Sequence, residues 1–380
     1  MNNLPSEIIA CILSILPIRT IVICKHVCKR WLQILSVPEF AKCHLSSSNP
    51  GLVIHQFEEE DSCSIFEFDD GLELRNHDLH YNLVKKFDPR SFITSPNSRI
   101  VMEGSVDGFL FLRDFSTRLH SLYICNPITR EYIALPHPEF MIAPNAYNSH
   151  YGFGLSSTSG QYKVVWNNYQ ETRSCSINFQ RNSDECLVYT LGTGSWRSLV
   201  PGAPIRSLRG STGVFLNGNL HWLVQDSKGY HLISCFDLET EIFHHPFSPL
   251  PPYPRIFPDS RSLVVLQECL CVCEYSNWDT IVVWMMKEYQ VKDSWSQRYV
   301  IPIMFRTTCE TMYPIKVFED GDILILWEDL ELFFYCNKSK STRKVDAFEM
   351  VHYSGWTEAM LHTPTFVSLQ SFCAEKVGKF

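Results

Sequence analysis

Cys269, Cys271 and Cys273 alternate along an apolar run, so an extended chain turns all three thiols to one face. Three thiolates could hold zinc if a fourth ligand approached. Structural zinc sites, however, take their ligands in turn-spaced pairs, and the spacing reads as buried packing with no metal. His77-Asp78-Leu79-His80 and His244-His245 lie in loop-like stretches and offer no better ligand set. A serine nucleophile would want a G-x-S-x-G elbow, which is missing. Gly152-Phe153-Gly154 and Gly192-Thr193-Gly194 lack the third glycine and the βαβ setting of a nucleotide fingerprint. None of these patterns supplies a catalytic set or calls for a cofactor.

Two aromatic residues are candidates for binding. Trp278 stands in the polar turn Glu274-Tyr275-Ser276-Asn277-Trp278-Asp279, and Trp356 follows Tyr353-Ser354-Gly355. Tryptophan on a loop is a frequent binding anchor, and both are candidate target contacts. The competing role is packing between neighbouring sheets.

The elements that must position them are short strands. From residue 50 onward, turn-plus-strand units recur: Asp107-Gly108-Phe109-Leu110, Asn217-Gly218-Asn219-Leu220, Asp320-Gly321-Asp322-Ile323, and Gln267-Glu268-Cys269-Leu270 without glycine. Leu110, Leu220, Leu270 and Ile323 occupy equivalent places, with Gly160-Gln161-Tyr162-Lys163 as an intermediate unit in the longest gap. A second set of polar turns follows, at Asn126-Pro127-Ile128-Thr129, Gly192-Thr193-Gly194-Ser195, Asp237-Leu238-Glu239-Thr240 and Asn337-Lys338-Ser339-Lys340. Hairpin turns favour these residue types because they require positive φ. A period of about 50 residues with four strands per unit is the signature of a kelch-like propeller, here with five or six blades. A β-sandwich is the competing architecture.

Composition agrees with a packed chain: 45% of residues are hydrophobic and 13% aromatic, against the composition of disorder. The net charge of −8 is unevenly spread. Residues 1–48 carry five basic side chains (Arg19, Lys25, Lys29, Arg30, Lys42) and two acidic ones (Glu7, Glu39), leaving −11 for the remainder. An acidic body is a poor surface for nucleic acid, whereas a basic module suits an acidic protein partner. The 15 cysteines are odd in number and show no C-x-x-C, which points to free thiols in a reducing compartment. No signal peptide or membrane span is expected, so the protein is placed in cytoplasm and/or nucleus.

Before the strands lies a helical stretch. Ile8, Ile9, Ile12, Leu13 and Leu16 form an apolar face that Pro17 terminates, and a second stripe follows through Ile21, Cys24, Val27, Cys28, Trp31 and Leu35. Two short helices cannot bury so much apolar surface alone, so the face either docks on the rest of the chain or awaits a partner.

The order Leu4-Pro5-x-Glu7-Ile8, Ile12-Leu13, Leu16-Pro17 and Val27-Cys28-Lys29-x-Trp31 closely resembles the F-box. That resemblance implies a three-helix module that binds a Skp-type adaptor and, through it, a cullin. By position, Leu4, Pro5, Ile8, Ile9, Ile12, Leu13, Leu16, Val27, Cys28, Lys29 and Trp31 would contact the adaptor, although Trp31 could instead hold the module's own core. Stretches from Gly108 onward are similar to the F-box-associated domain of plant F-box proteins. They include Asn126-Pro127-Ile128-Thr129-Arg130-Glu131, Gly152-Phe153-Gly154, Tyr162-Lys163-Val164-Val165, Asn217-Gly218-Asn219-Leu220-His221-Trp222-Leu223, Phe236-Asp237-Leu238-Glu239-Thr240-Glu241 and Trp284-Met285-Met286-Lys287-Glu288-Tyr289. Leu155-Ser156 departs from the Tyr-Asp pair usual there.

The expected fold is therefore α+β and multidomain. An F-box helical module at 1–45 is followed by a linker and first strands at 46–99, then by a mainly antiparallel, all-β kelch-like propeller at 100–380. The implied role is the substrate-recognition subunit of an SCF-type ubiquitin ligase, a non-catalytic adaptor that recruits a target protein for ubiquitination. The rival is a propeller that binds a small molecule or acts as an enzyme, with the helices as a cap.

Overall fold

The computed structural model describes residues 4–56, 62–68, 82–93, 98–114, 116, 121–138, 149–168, 185–199, 206–207, 212–225, 230–247, 261–276, 280–302, 312–327, 331–345, 357–372 and 375–380. Two compact units emerge. One comprises Met1–Asp114, Leu122–Leu135 and Asp346–Phe380; the other comprises Phe115–Ser121 and Pro136–Val345.

The first unit opens with four helices, α1 (Ser6–Ser14), α2 (Ile18–Cys24), α3 (Lys29–Leu35) and α4 (Pro38–Ser47), where three were expected. Prolines punctuate them. Pro5 and Pro17 stand extended just before α1 and α2, and Pro38 opens α4, where the missing N–H costs nothing. The second stripe expected through residues 21–35 is broken at Cys28. Its backbone is extended (φ −160°, ψ 162°) so that its sulfur can accept the Trp31 N–H at 3.5 Å and cap α3.

Two sheets complete this unit. The first runs β25-β1-β2-β3, from β1 (Gly51–Gln56), β2 (Ser62–Glu67), β3 (Asn82–Phe87) and β25 (Thr357–His362). The second runs β26-β7-β6-β5-β4, from β4 (Ile100–Val106), β5 (Phe109–Asp114), β6 (Ser121–Asn126), β7 (Glu131–Ala134) and β26 (Val377–Lys379). Each sheet thus takes one strand from the far end of the sequence. Val53, Ile65, Ile100, Met102, Leu110 and Leu112 belong to the buried core between them.

The second unit holds four antiparallel sheets. The first of these contains β8 (Ser149–Leu155), β9 (Tyr162–Asn168), β10 (Glu185–Thr190) and β11 (Trp196–Leu199). The next contains β12 (Arg206–Ser207), β13 (Val214–Leu216), β14 (Asn219–Gln225), β15 (His231–Asp237) and β16 (Ile242–Phe247). Then come β17 (Arg261–Leu266), β18 (Cys269–Ser276), β19 (Thr280–Met286) and β20 (Trp295–Pro302). The last is β21 (Met312–Val317), β22 (Ile323–Trp327), β23 (Glu331–Cys336) and β24 (Ser341–Lys344).

The repeated turn signals fall at one structural place. Asp107-Gly108 joins β4 to β5, Asn217-Gly218 joins β13 to β14, Gln267-Glu268 joins β17 to β18, and Asp320-Gly321 lies between β21 and β22. The first three pairs hold φ of 51° and 81°, 51° and 73°, and 49° and 59°, the doubly positive geometry that matches strand twist. Gln267-Glu268 adopts it without glycine. Leu110, Leu220, Leu270 and Ile323 each sit buried at the start of the strand that follows. Six sheets answer the expectation of five or six blades, and the sandwich alternative falls away.

Candidate interaction surface on the N-terminal helices

The face of α1 read as one apolar stripe is two. Ile9 (4% exposed) and Leu13 (2%) turn inward and pack with Ile21, Cys24, Leu35 and Phe40. Ile8 (46%), Ile12 (50%) and Ile15 (73%) turn outward. Residues 8, 12 and 15 follow the four-and-three spacing of one helical stripe, and residues 9 and 13 lie about 100° around the axis. Leu16 and Trp31 are half-buried against the core, so Trp31 does help to hold the module together. Leu4, Pro5, Val27, Cys28 and Lys29 are exposed. Of the eleven residues expected at the adaptor, seven therefore face outward, two are half-buried and two lie in the core. The spacing misses Val22, Ile23, Leu32 and Val37, large apolar side chains that are also exposed. So much exposed Ile, Val and Leu on a helical module marks an interaction surface.

The opening of this surface is pinned. Arg30 on α3 donates to the Leu4 carbonyl oxygen at 2.5 Å and to Ser6 Oγ at 3.3 Å. Beneath it, the module is tied to its unit's sheets. The Glu67 carboxylate, at the end of β2, accepts the Ile18 N–H at 2.7 Å, which satisfies an otherwise orphan donor of α2. Burial holds that carboxyl above the usual range; the backbone donors Ile18 and Arg19 and the Arg19 charge oppose this only in part. His44 Nε2 donates to the Leu16 carbonyl at 3.1 Å, and burial pushes its pKa down. Phe366 packs against the helical core, 5.8 Å from the His44 ring, with the Lys25 ammonium 4.0 Å above its face.

The other candidates resolve differently. Trp278 and Trp356 lie outside the described residues, as do His77 and His80. His244, exposed on β16, has Asp237 at 3.8 Å. Cys271 and Cys273 belong to the core shared by two sheets and Cys269 packs on it, while burial pushes the Cys273 thiol up to about 12. Among the described residues no three His, Cys, Asp or Glu converge as a metal group. Gly152 and Gly154 are packing glycines: a Cβ would stand 2.7 Å from Trp222 and 2.5 Å from Leu238.

Residues 60–366 match the F-box associated beta propeller domain family, and residues 1–43 match the F-box-like family. The chain belongs to the F-box-associated β-propeller family. Its six sheets are the blades, and the N-terminal helices precede them. F-box protein At3g07870 of Arabidopsis thaliana is 27% identical over 410 residues, spanning 96% of this chain and 92% of that protein. F-box protein CPR1 of the same organism is 27% identical over 332 residues, spanning 79% and 73%.

Within this F-box-associated propeller, the motif residues mostly build structure. Trp222 Nε1 donates to the Tyr151 carbonyl at 3.2 Å, tying two blades together. Lys163 donates to the Leu238 carbonyl and to Glu241, which Arg197 also binds. Asp237 accepts the N–H groups of Glu239 and Thr240 within its own turn. His221 Nδ1 faces the Val214 carbonyl at 3.2 Å, which can only accept, so Nε2 is the acceptor for the Tyr289 hydroxyl at 2.9 Å. Burial drives the His221 pKa down to about 4 and pushes the Tyr289 phenol up, so the pair is neutral.

Proposed function

We propose that this protein is the substrate-recognition subunit of an SCF-type ubiquitin ligase, a non-catalytic adaptor. Its helical module binds a Skp1-type adaptor and, through it, a cullin, while the kelch-like blades hold a target protein. The observation that carries this reading is the outward stripe of Ile8, Ile12 and Ile15 on a module whose own core is already filled by Ile9, Leu13 and their neighbours. A structural cap would have turned that stripe inward. The F-box-like match over the same residues and the F-box proteins among the relatives support it.

The net charge of residues 1–48 suits an acidic partner surface and would speed its capture. Rate gain in such a complex comes from holding target lysines at raised effective concentration near the charged enzyme. Twelve free cysteines among the described residues accord with cytoplasm or nucleus. Co-purification with a Skp1-type adaptor tests the reading. The full chain is expected to retain the adaptor stoichiometrically and a chain lacking residues 1–45 to lose it. Retention by neither, with both folded, would hand the lead to a small-molecule-binding propeller capped by helices.

A further inference from the structure

Phe366 is flanked by two residues that a single side chain holds. The Asn126 amide donates to the carbonyl oxygens of Thr365 at 3.1 Å and Val367 at 2.7 Å. Its Oδ1 meanwhile accepts the N–H groups of Ile128 and Thr129, which locks the turn between β6 and β7. At the far end of that turn, Glu131 accepts from the Ser368 hydroxyl and from the Leu369 N–H at 2.8 Å. Thr365 and Leu369 are fully buried. Residues 365–369 are thus strapped to the second sheet of the first unit, with the half-buried Phe366 ring packed against the helical core, beside His44 and beneath the Lys25 ammonium.

The covalent connection is a poor determinant of orientation by comparison. Only Ser48, Asn49 and Pro50 separate α4 from β1; Ser48 is bonded back to the His44 carbonyl of α4, and a three-residue link by itself sets distance more closely than direction. The Glu67 carboxylate, with Ile18 and Arg19 as its partners, restrains the start of α2. An aromatic ring held against a packed core, with His44 on one side and Lys25 over its face, restrains direction as well as distance.

We propose that Thr365–Leu369 is the joint that sets the helical module's orientation on its unit's sheets, with Phe366 as the positioning residue and Asn126 as its clamp. The geometry of the joint stands apart from what binds the outward face. Its use, a fixed reach between adaptor and target, rests on the ligase reading.

The test uses the full chain, with spin labels on non-natural amino acids at the exposed positions Lys42 on α4 and Lys86 on β3. The native chain is expected to give one narrow distance distribution. Phe366→Ala should widen it by at least about two-fold, and Phe366→Leu, which refills the apolar slot, should bring it most of the way back to the native width. Unchanged width in Phe366→Ala would overturn the proposal. Should that variant not fold, hydrogen exchange of the native chain decides. Amides of α2 and of residues 365–369 are expected to open together, at rates within about two-fold. Opening of α2 while the strap stays protected would refute the joint. Calorimetry with a Skp1-type adaptor separates the two readings: Phe366→Ala should bind as the native chain does, and a native chain that fails to bind defeats the ligase reading alone.

Discussion

Arg30 reaches back from α3 to the carbonyl oxygen of Leu4, fixing the start of α1 from 26 residues away. A hydrogen bond from a charged donor contributes about 1.5–3 kcal/mol, enough to order a short exposed segment. Arg30→Ala should therefore leave helix content unchanged by circular dichroism while adaptor affinity falls about ten-fold. Equal affinity in titration calorimetry would mean that the Leu-Pro opening orders itself without Arg30.

The two faces of α1 should separate binding from stability. Leu13→Ala empties part of a filled core and is expected to cost about 2–5 kcal/mol in urea unfolding. Ile12→Ala should leave stability within about 0.5 kcal/mol, as exposed substitutions do. It should nevertheless weaken adaptor binding by about 2 kcal/mol, as truncation of an interface anchor does. A large stability loss from Ile12→Ala would show that its side chain is covered.

Glu67 gives a pH signature. Its folded carboxyl is held above the ordinary value, so the unfolded chain ionises first as pH rises. The stability that this group contributes is complete below about pH 4 and is lost as pH climbs through the folded value. Glu67→Gln keeps an acceptor for the Ile18 N–H without the buried charge. It should gain stability over the native chain between about pH 4 and 7 and converge with it near pH 4. A variant less stable at pH 7 would contradict this.

His221 works in the opposite direction. Its pKa is depressed to about 4, so its contribution is complete above the unfolded value of about 6.5 and is lost as pH falls towards 4. Acid titration of the unfolding midpoint should show this decline. Tyr289→Phe leaves the buried Nε2 without its donor and should cost about 1–3 kcal/mol at pH 7. A Phe variant as stable as the native chain would mean that the bond contributes nothing net.

Much of this was legible in the residues, for local reasons. Asp107-Gly108 and Asn217-Gly218 announce hairpins because few other pairs tolerate two positive φ angles, and Leu-Pro followed by Ile at helical spacing announces an amphipathic helix. What stayed hidden was non-local. Nothing around Thr357–His362 says that it pairs with Gly51–Gln56, three hundred residues earlier, to complete the first blade. Phe366 looks like any apolar residue until the Asn126 clamp aims it at the helices. The break at Cys28 was missed because a thiol is a weak cap, so the apolar stripe appeared to continue through it.

The most direct test of adaptor binding by the outward helical face is calorimetric titration of a Skp1-type adaptor into the full chain and into the double variant Ile8→Asp, Ile12→Asp. The native chain should bind one to one, and the variant should bind at least about 100-fold more weakly at an unchanged melting temperature. Equal binding by both, or none by the native chain, would contradict the assignment of this face.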